Sequence, residues 1–175
     1  MTAQQQIHDL TASVPGFPKP GITFRDLTPV FADPSAFRAV TDELLAPFAG
    51  SIDAVAGVEA RGFLVASAAA YAAGLGVITI RKAGKLPGRV LAHSYDLEYG
   101  TATLEIQPDG LAAGARVLLL DDVLATGGTL GASCELLEEA GCTVAGIGVV
   151  LELEGLSGRA NLAGRTVHAL AALPG

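Results

Sequence analysis

The chain has 175 residues, half of them hydrophobic and only 17% charged, with a formal net charge of -7. That balance excludes a disordered chain, and the length matches one domain, since a domain holds roughly 100–200 residues. The acidity excludes nucleic-acid binding through bulk charge but leaves room for a local basic patch that takes a phosphorylated metabolite. Cys134 and Cys142 make no disulfide framework, and no CxxC or Cys/His metal spacing occurs. Met1 to Leu10 is Gln-rich and lacks an apolar signal-peptide core. No apolar run reaches the ~20 residues that span a bilayer. A soluble cytoplasmic protein is expected.

In chain order, a first helix is expected over 4–13. Val14 to Gly21 holds three prolines and two glycines and is expected to be irregular. A short extended piece follows over 22–26. Asp33 with Pro34 after it reads as a helix start, and Phe37, Val40, Leu44 and Phe48 keep helical spacing to about Ala49. Residues 54–58 read as a buried strand, 62–73 as a helix and 76–80 as a second strand. Arg81, Lys82, Lys85 and Arg89 then gather four of the 11 Lys and Arg residues in one glycine-containing loop. Such a cluster is either local electropositive design or a solvated loop. Tyr95–Tyr99 and 101–106 form a candidate hairpin around Gly100. Residues 116–122 suit a parallel strand buried on both faces. A helix over 129–140, a strand over 143–151 and a last strand over 167–170 complete the chain. Strands alternating with helices imply an α/β fold with a central, mostly parallel sheet.

The most informative stretch runs from Val117 to Thr129. A buried strand ends at two carboxylates, and a glycine-rich turn then opens a helix. In open α/β sheets ligands sit at the carboxyl ends of strands. A helix opening offers free N–H groups and the positive end of a dipole, which makes an anion site. The hydroxyls of Thr126 and Thr129 add donors. Asp121 and Asp122 suit sugar hydroxyls, or a metal reached through water. The combination points to a phosphorylated sugar. The plainer alternative is that Asp122 and Thr126 cap a turn. Neither GxxxxGK[ST] nor GxGxxG occurs in the chain.

This stretch closely resembles the signature with which type I phosphoribosyltransferases bind 5-phosphoribosyl 1-pyrophosphate (PRPP). The resemblance covers nearly the whole chain and favours the branch of the family that acts on adenine. Phe17-Pro-Lys-Pro-Gly-Ile-Thr-Phe-Arg-Asp26 resembles that branch's N-terminal segment, and Glu59-Ala-Arg-Gly-Phe63 its second PRPP loop. Ile80 to Gly88 and Tyr95-Asp-Leu-Glu-Tyr-Gly100 resemble its flexible catalytic loop.

The resemblance implies the type I phosphoribosyltransferase fold with a hood hairpin, in one domain over 1–175. It implies a base-binding segment at about 14–30 and a catalytic loop at about 81–101. It implies purine salvage, in which adenine and PRPP give AMP and pyrophosphate, with Mg2+ carried by PRPP rather than held directly by protein. Ala125, Thr126, Gly127, Gly128 and Thr129 would cradle the 5′-phosphate, and Asp121 and Asp122 would hold the ribose. Glu59, Ala60 and Arg61, with a cis non-proline bond in their loop, would receive pyrophosphate together with Arg81, Lys82 and Lys85. Phe24 would stack on adenine while the backbone of Thr23 and Arg25 reads its edge, and Leu153 or Leu156 would close the far side. Glu98, with Tyr99 beside it, would handle the proton on the base. Ala60 and Thr23 depart from the pattern, where relatives often have Ser and an aliphatic residue. A homodimer is implied, with no nucleic-acid or membrane partner.

Two other readings share the signature. One is a type I phosphoribosyltransferase for a 6-oxopurine or orotate, against which the Phe-Arg-Asp and Tyr-Asp-Leu-Glu-Tyr-Gly segments argue. The other is a non-catalytic PRPP-binding regulator, which would need a DNA-binding region and a basic surface.

Overall fold

The computed structural model describes residues 1–96 and 100–175. Two β-strands carry the architecture. β3 (Ala54–Val58) and β7 (Arg116–Leu124) lie side by side and parallel at the centre of a seven-stranded sheet. On β7, Leu118 and Leu120 point into one core while Val117 and Leu119 point into another, and all four are fully buried. The period-2 alternation of a strand thus feeds two apolar layers at once, which explains why the run from Val117 to Leu120 is apolar throughout.

Outward from this pair, β3 is flanked by β4 (Gly76–Lys82), and β7 by β8 (Thr143–Glu154) and then β9 (Val167–Pro174), all parallel. Beyond β4 lie β6 (Thr101–Ile106) and β5 (Leu91–Asp96), both pairings antiparallel. One face is covered by α1 (Ala3–Leu10), α2 (Thr28–Ala32), α3 (Pro34–Leu45) and α4 (Gly62–Ala73). The other is covered by α5 (Gly128–Glu139), which buries Leu130, Cys134, Leu136 and Leu137. No described helix is long and apolar enough to cross a membrane.

Local chemistry sets the element ends. Asp33 accepts from the Ala36 N–H at 2.8 Å and Pro34 opens α3. Pro47 lacks the N–H that would continue the helix, so α3 stops at Leu45 and a single 3₁₀ turn carries on to Phe48. Gly57 brings α4 onto the sheet, because a Cβ there would lie 2.6 Å from the Ala66 Cβ and 2.9 Å from the Gly62 carbonyl.

The structure departs from expectation in several places: α1 stops at Leu10 rather than at Ser13, Arg81 and Lys82 end strand β4 rather than open a loop, and β5 begins at Leu91 rather than at Tyr95. The proline-rich segment is partly regular, since Ala12–Pro15 forms β1, paired antiparallel with β2 (Thr23–Asp26). A two-stranded ribbon has only edges, so it tolerates Pro15 at its end, while Pro18 and Pro20 fall in the turn. Residues 28–32 form a short helix that was not anticipated, with the Asp26 carboxylate accepting from both the N–H and the hydroxyl of Thr28. The last strand continues to Pro174, whose carbonyl accepts from Arg25 at 2.9 Å. Inserting a methyl at the α4 contact tests the packing: Gly57→Ala should lower stability by about 1–3 kcal/mol, seen as a lower urea midpoint, and an unchanged midpoint would contradict the close approach.

Candidate active site

The chain leaves β3 towards β4 on one side, and leaves β7 towards β8 on the other. Their following loops diverge, and a cleft of about 440 Å³ opens at this switch point. Glu59, Ala60 and Arg61 after β3 line one wall, and Asp121 and Asp122 at the end of β7 line the other. Lys82, Tyr95 and Thr129 complete it.

The two acids are held differently. Asp122 is 7% exposed and makes an ion pair with the Arg61 Nε. Asp121 accepts the backbone N–H of Asp122 at 2.8 Å. Burial, then the neighbouring Asp122 charge, pushes the Asp121 carboxyl well above the ordinary carboxylate range. Gly62 fits against this carboxylate, as a Cβ there would stand 2.8 Å from Asp121 Oδ1. The start of α4 therefore packs directly on the acid pair.

The Glu59–Ala60 peptide is cis. The Glu59 carboxylate gathers the cationic segment by accepting from Lys85 Nζ, Arg81 Nε at 3.2 Å and Lys82 N at 3.0 Å. Lys85, ahead of the Lys82 and Arg81 hydrogen bonds, holds the Glu59 carboxyl down at about 2. Arg81 and Lys85 are therefore anchored to the cleft wall rather than left in a solvated loop. Arg89 turns to exposed Asp109 instead, 3.4 Å away.

A smaller recess of about 90 Å³ lies beside the cleft, lined by Asp121, Ala125, Thr126, Gly127 and Thr129. Gly127 has φ +83°, and a Cβ there would lie 2.5 Å from the Gly158 carbonyl. A Cβ on Gly158 would in turn lie 2.3 Å from the Ala125 carbonyl. Asn161 donates to the Thr126 carbonyl at 2.7 Å. The β8–β9 connection thus braces the glycine-rich turn. Gly158 and Asn161 were missed in the sequence, as was Tyr95, whose phenol lies 3.0 Å from Thr129 Oγ1. Each acts over more than 30 positions of chain, so no local spacing announces it.

Thr23, Phe24 and Arg25 sit together on β2, all partly buried. The Arg61 guanidinium lies over the Phe24 ring, 5.3 Å from its centroid, and Phe17 meets Phe24 edge-on at 5.2 Å. The Arg25 side chain turns instead to Ser13 Oγ at 2.6 Å and the Pro174 carbonyl. Leu153 packs against the first core, whereas Leu156 is exposed. The expected catalytic pair, Glu98 and Tyr99, lies outside the described residues.

Residues 36–163 match the phosphoribosyl transferase domain. The adenine phosphoribosyltransferase of Renibacterium salmoninarum is 65% identical over 170 residues, covering 97% of this chain and 93% of that protein. The crystal structure of adenine phosphoribosyltransferase from Rhodothermus marinus superposes with a TM-score of 0.92 at 44% identity, covering 98% of each chain. The Saccharomyces cerevisiae enzyme, crystallised with adenine and an imino-altritol bisphosphate, superposes with a TM-score of 0.90 at 36% identity, covering 96% of this chain and 98% of that one.

The Glu59 cluster has a pH signature. A carboxyl lowered from 4.5 to about 2 contributes stability that is full above 4.5 and lost as pH falls towards 2. Wild type should therefore exceed Glu59→Gln in unfolding free energy at pH 6, and the gap should close as pH falls from 4.5 towards 2. Denaturant titrations at several pH values check this, and a gap independent of pH would contradict the ion cluster.

Proposed function

The chain belongs to the adenine phosphoribosyltransferase family, and we propose on that footing how its own residues carry out the reaction. Adenine N9 attacks C1 of PRPP, the bond from C1 to the pyrophosphate oxygen breaks, and AMP and pyrophosphate form, as in purine salvage. The single observation that supports the assignment of roles is that a recess of about 90 Å³, two carboxylates and a cation cluster adjoin one another at the switch point.

Ala125 to Thr129 hold the 5′-phosphate, with the N–H groups at the start of α5 as donors. Asp121 and Asp122 take the ribose hydroxyls. Arg61, Arg81, Lys82 and Lys85 receive the pyrophosphate, and Glu59 keeps Arg81 and Lys85 in place before it arrives. The transition state is oxocarbenium-like at C1, so fixed cations on the departing oxygens and fixed acids on the ribose lower the barrier together.

Phe24 stacks on adenine, the backbone of Thr23 and Arg25 reads its edge, and Leu156 is the exposed candidate for the far side. Arg61 lies over Phe24, so one guanidinium adjoins both the base site and the pyrophosphate site. Glu98, with Tyr99 beside it, takes the proton that N9 loses.

Magnesium is proposed to enter on PRPP. No described group of three or more His, Cys, Asp or Glu side chains could cage it. The donors at hand, Asp121 and Asp122, fit an ion met through substrate oxygens and water. When bound it neutralises charge on the leaving pyrophosphate. We place the enzyme in the cytoplasm, in keeping with two buried free thiols. We propose a homodimer, which would cover the exposed Leu64 and Tyr71 of α4.

Incubation with PRPP, Mg2+ and single bases, read by chromatography, should yield AMP from adenine. IMP or GMP instead would overturn the base assignment. Glu98→Ala should lower kcat by about 100-fold or more, the scale of general acid–base catalysis, with PRPP affinity nearly unchanged by calorimetry. Equal loss of both would remove Glu98 from the proton step.

A further inference from the structure

Strand β5 is fastened along α5 at two points. His93 sits between Glu135 and Glu139 of that helix, at 2.8 and 2.9 Å. Two residues on, Tyr95 reaches the helix opening. Its phenol lies 3.0 Å from Thr129 Oγ1, and its ring lies 3.7 Å from where a Cβ on Gly128 would stand. Tyr95 is partly buried against the second core and also lines the cleft. It therefore touches the phosphate turn from the hairpin side, three positions before Glu98 in the sequence.

The direction of the Tyr95–Thr129 bond follows from what Thr129 has to do. A threonine hydroxyl carries one proton and two lone pairs. If Thr129 gives its proton to the 5′-phosphate, it has none for Tyr95, so the phenol must be the donor. The phenol is also the more acidic of the two hydroxyls and the natural donor. A Thr129 oxygen that accepts from Tyr95 has its rotor fixed, with its own proton directed elsewhere. Once that proton bonds to phosphate, the two hydrogen bonds form a chain in which each polarises the other.

We propose that Tyr95 is a positioning residue for the 5′-phosphate: its phenol orients the Thr129 hydroxyl towards the ligand from the β5 side of the turn. The inference rests on the reading of residues 125–129 as the 5′-phosphate turn.

Tyr95→Phe keeps the ring and removes only the donor. Calorimetry with ribose 5-phosphate and, separately, pyrophosphate distinguishes positioning from general support of the fold. Ribose 5-phosphate should bind about 5- to 10-fold more weakly, the scale of one hydrogen bond, while pyrophosphate affinity stays the same. In a Thr129→Val background, Tyr95→Phe should have no further effect, and in Thr129→Ser, which keeps a hydroxyl, the effect should return. If Tyr95→Phe lowers the melting midpoint, the ratio of the two affinities within that variant remains the readout. Equal weakening of both ligands, no weakening, or an undiminished effect in Thr129→Val would overturn the proposal. AMP formation separates the two levels of argument. A wild type that makes AMP with an unaltered Tyr95→Phe overturns the positioning role alone. A wild type that neither binds ribose 5-phosphate nor makes AMP overturns the reading of the turn as well.

Discussion

Arg61 meets Asp122 across the gap between β3 and β7, and the rest of the cleft is arranged around that contact. A buried carboxylate without a partner is strongly destabilising, so Asp122 requires a cation at this position. Arg61 can stand there because α4 begins at the next residue and is pressed against the sheet through Gly57 and Gly62. The same guanidinium lies over Phe24 of the separate β1–β2 ribbon. One side chain therefore joins the end of β7, the turn after β3 and the N-terminal ribbon. In the functional reading these are the ribose, pyrophosphate and base subsites.

The charge pattern follows the same logic. The chain is acidic overall, yet Arg61 and Lys82 line its cleft, and Arg81 and Lys85 pair with Glu59 of the cleft wall. Arg61, Arg81 and Lys85 are each paired with a carboxylate. Such pairing fixes the position of the cations, which is electrostatic preorganisation. The glycine-rich turn relies on geometry more than on side-chain charge. Gly127 and Gly158 allow two loops to approach within distances that no Cβ would permit, and Asn161 fixes a carbonyl of the turn.

Much of this was legible in the sequence, for identifiable reasons. Strand β7 was readable because burial on both faces makes the run from Val117 to Leu120 apolar throughout, and α3 because Asp33 and Pro34 mark its start. The signature from Val117 to Thr129 was readable because one contiguous stretch holds strand, acids, turn and helix opening. The ribbon strand β1 was hidden because Pro15 argues against a strand everywhere except at an edge. The helix over Thr28–Ala32 was hidden because its anchor is the side chain of Asp26, which local spacing also allows to pair with Arg25. Arg25 itself reaches Pro174, almost the whole chain away, and Asn161 and Tyr95 likewise act across long separations. What the sequence concealed are contacts between segments whose proximity only the folded sheet creates.

If the geometry governs binding, Arg61 and Asp122 act as one unit in receiving the ligand. Calorimetric titration of PRPP with Mg2+ into wild type, Arg61→Gln, Asp122→Asn and the double variant tests it. The account predicts that each single variant weakens binding, and that the double variant binds about as well as the weaker single one, because residues that share one interaction are not additive. Losses that simply add would show that the two side chains act independently, and would contradict the account.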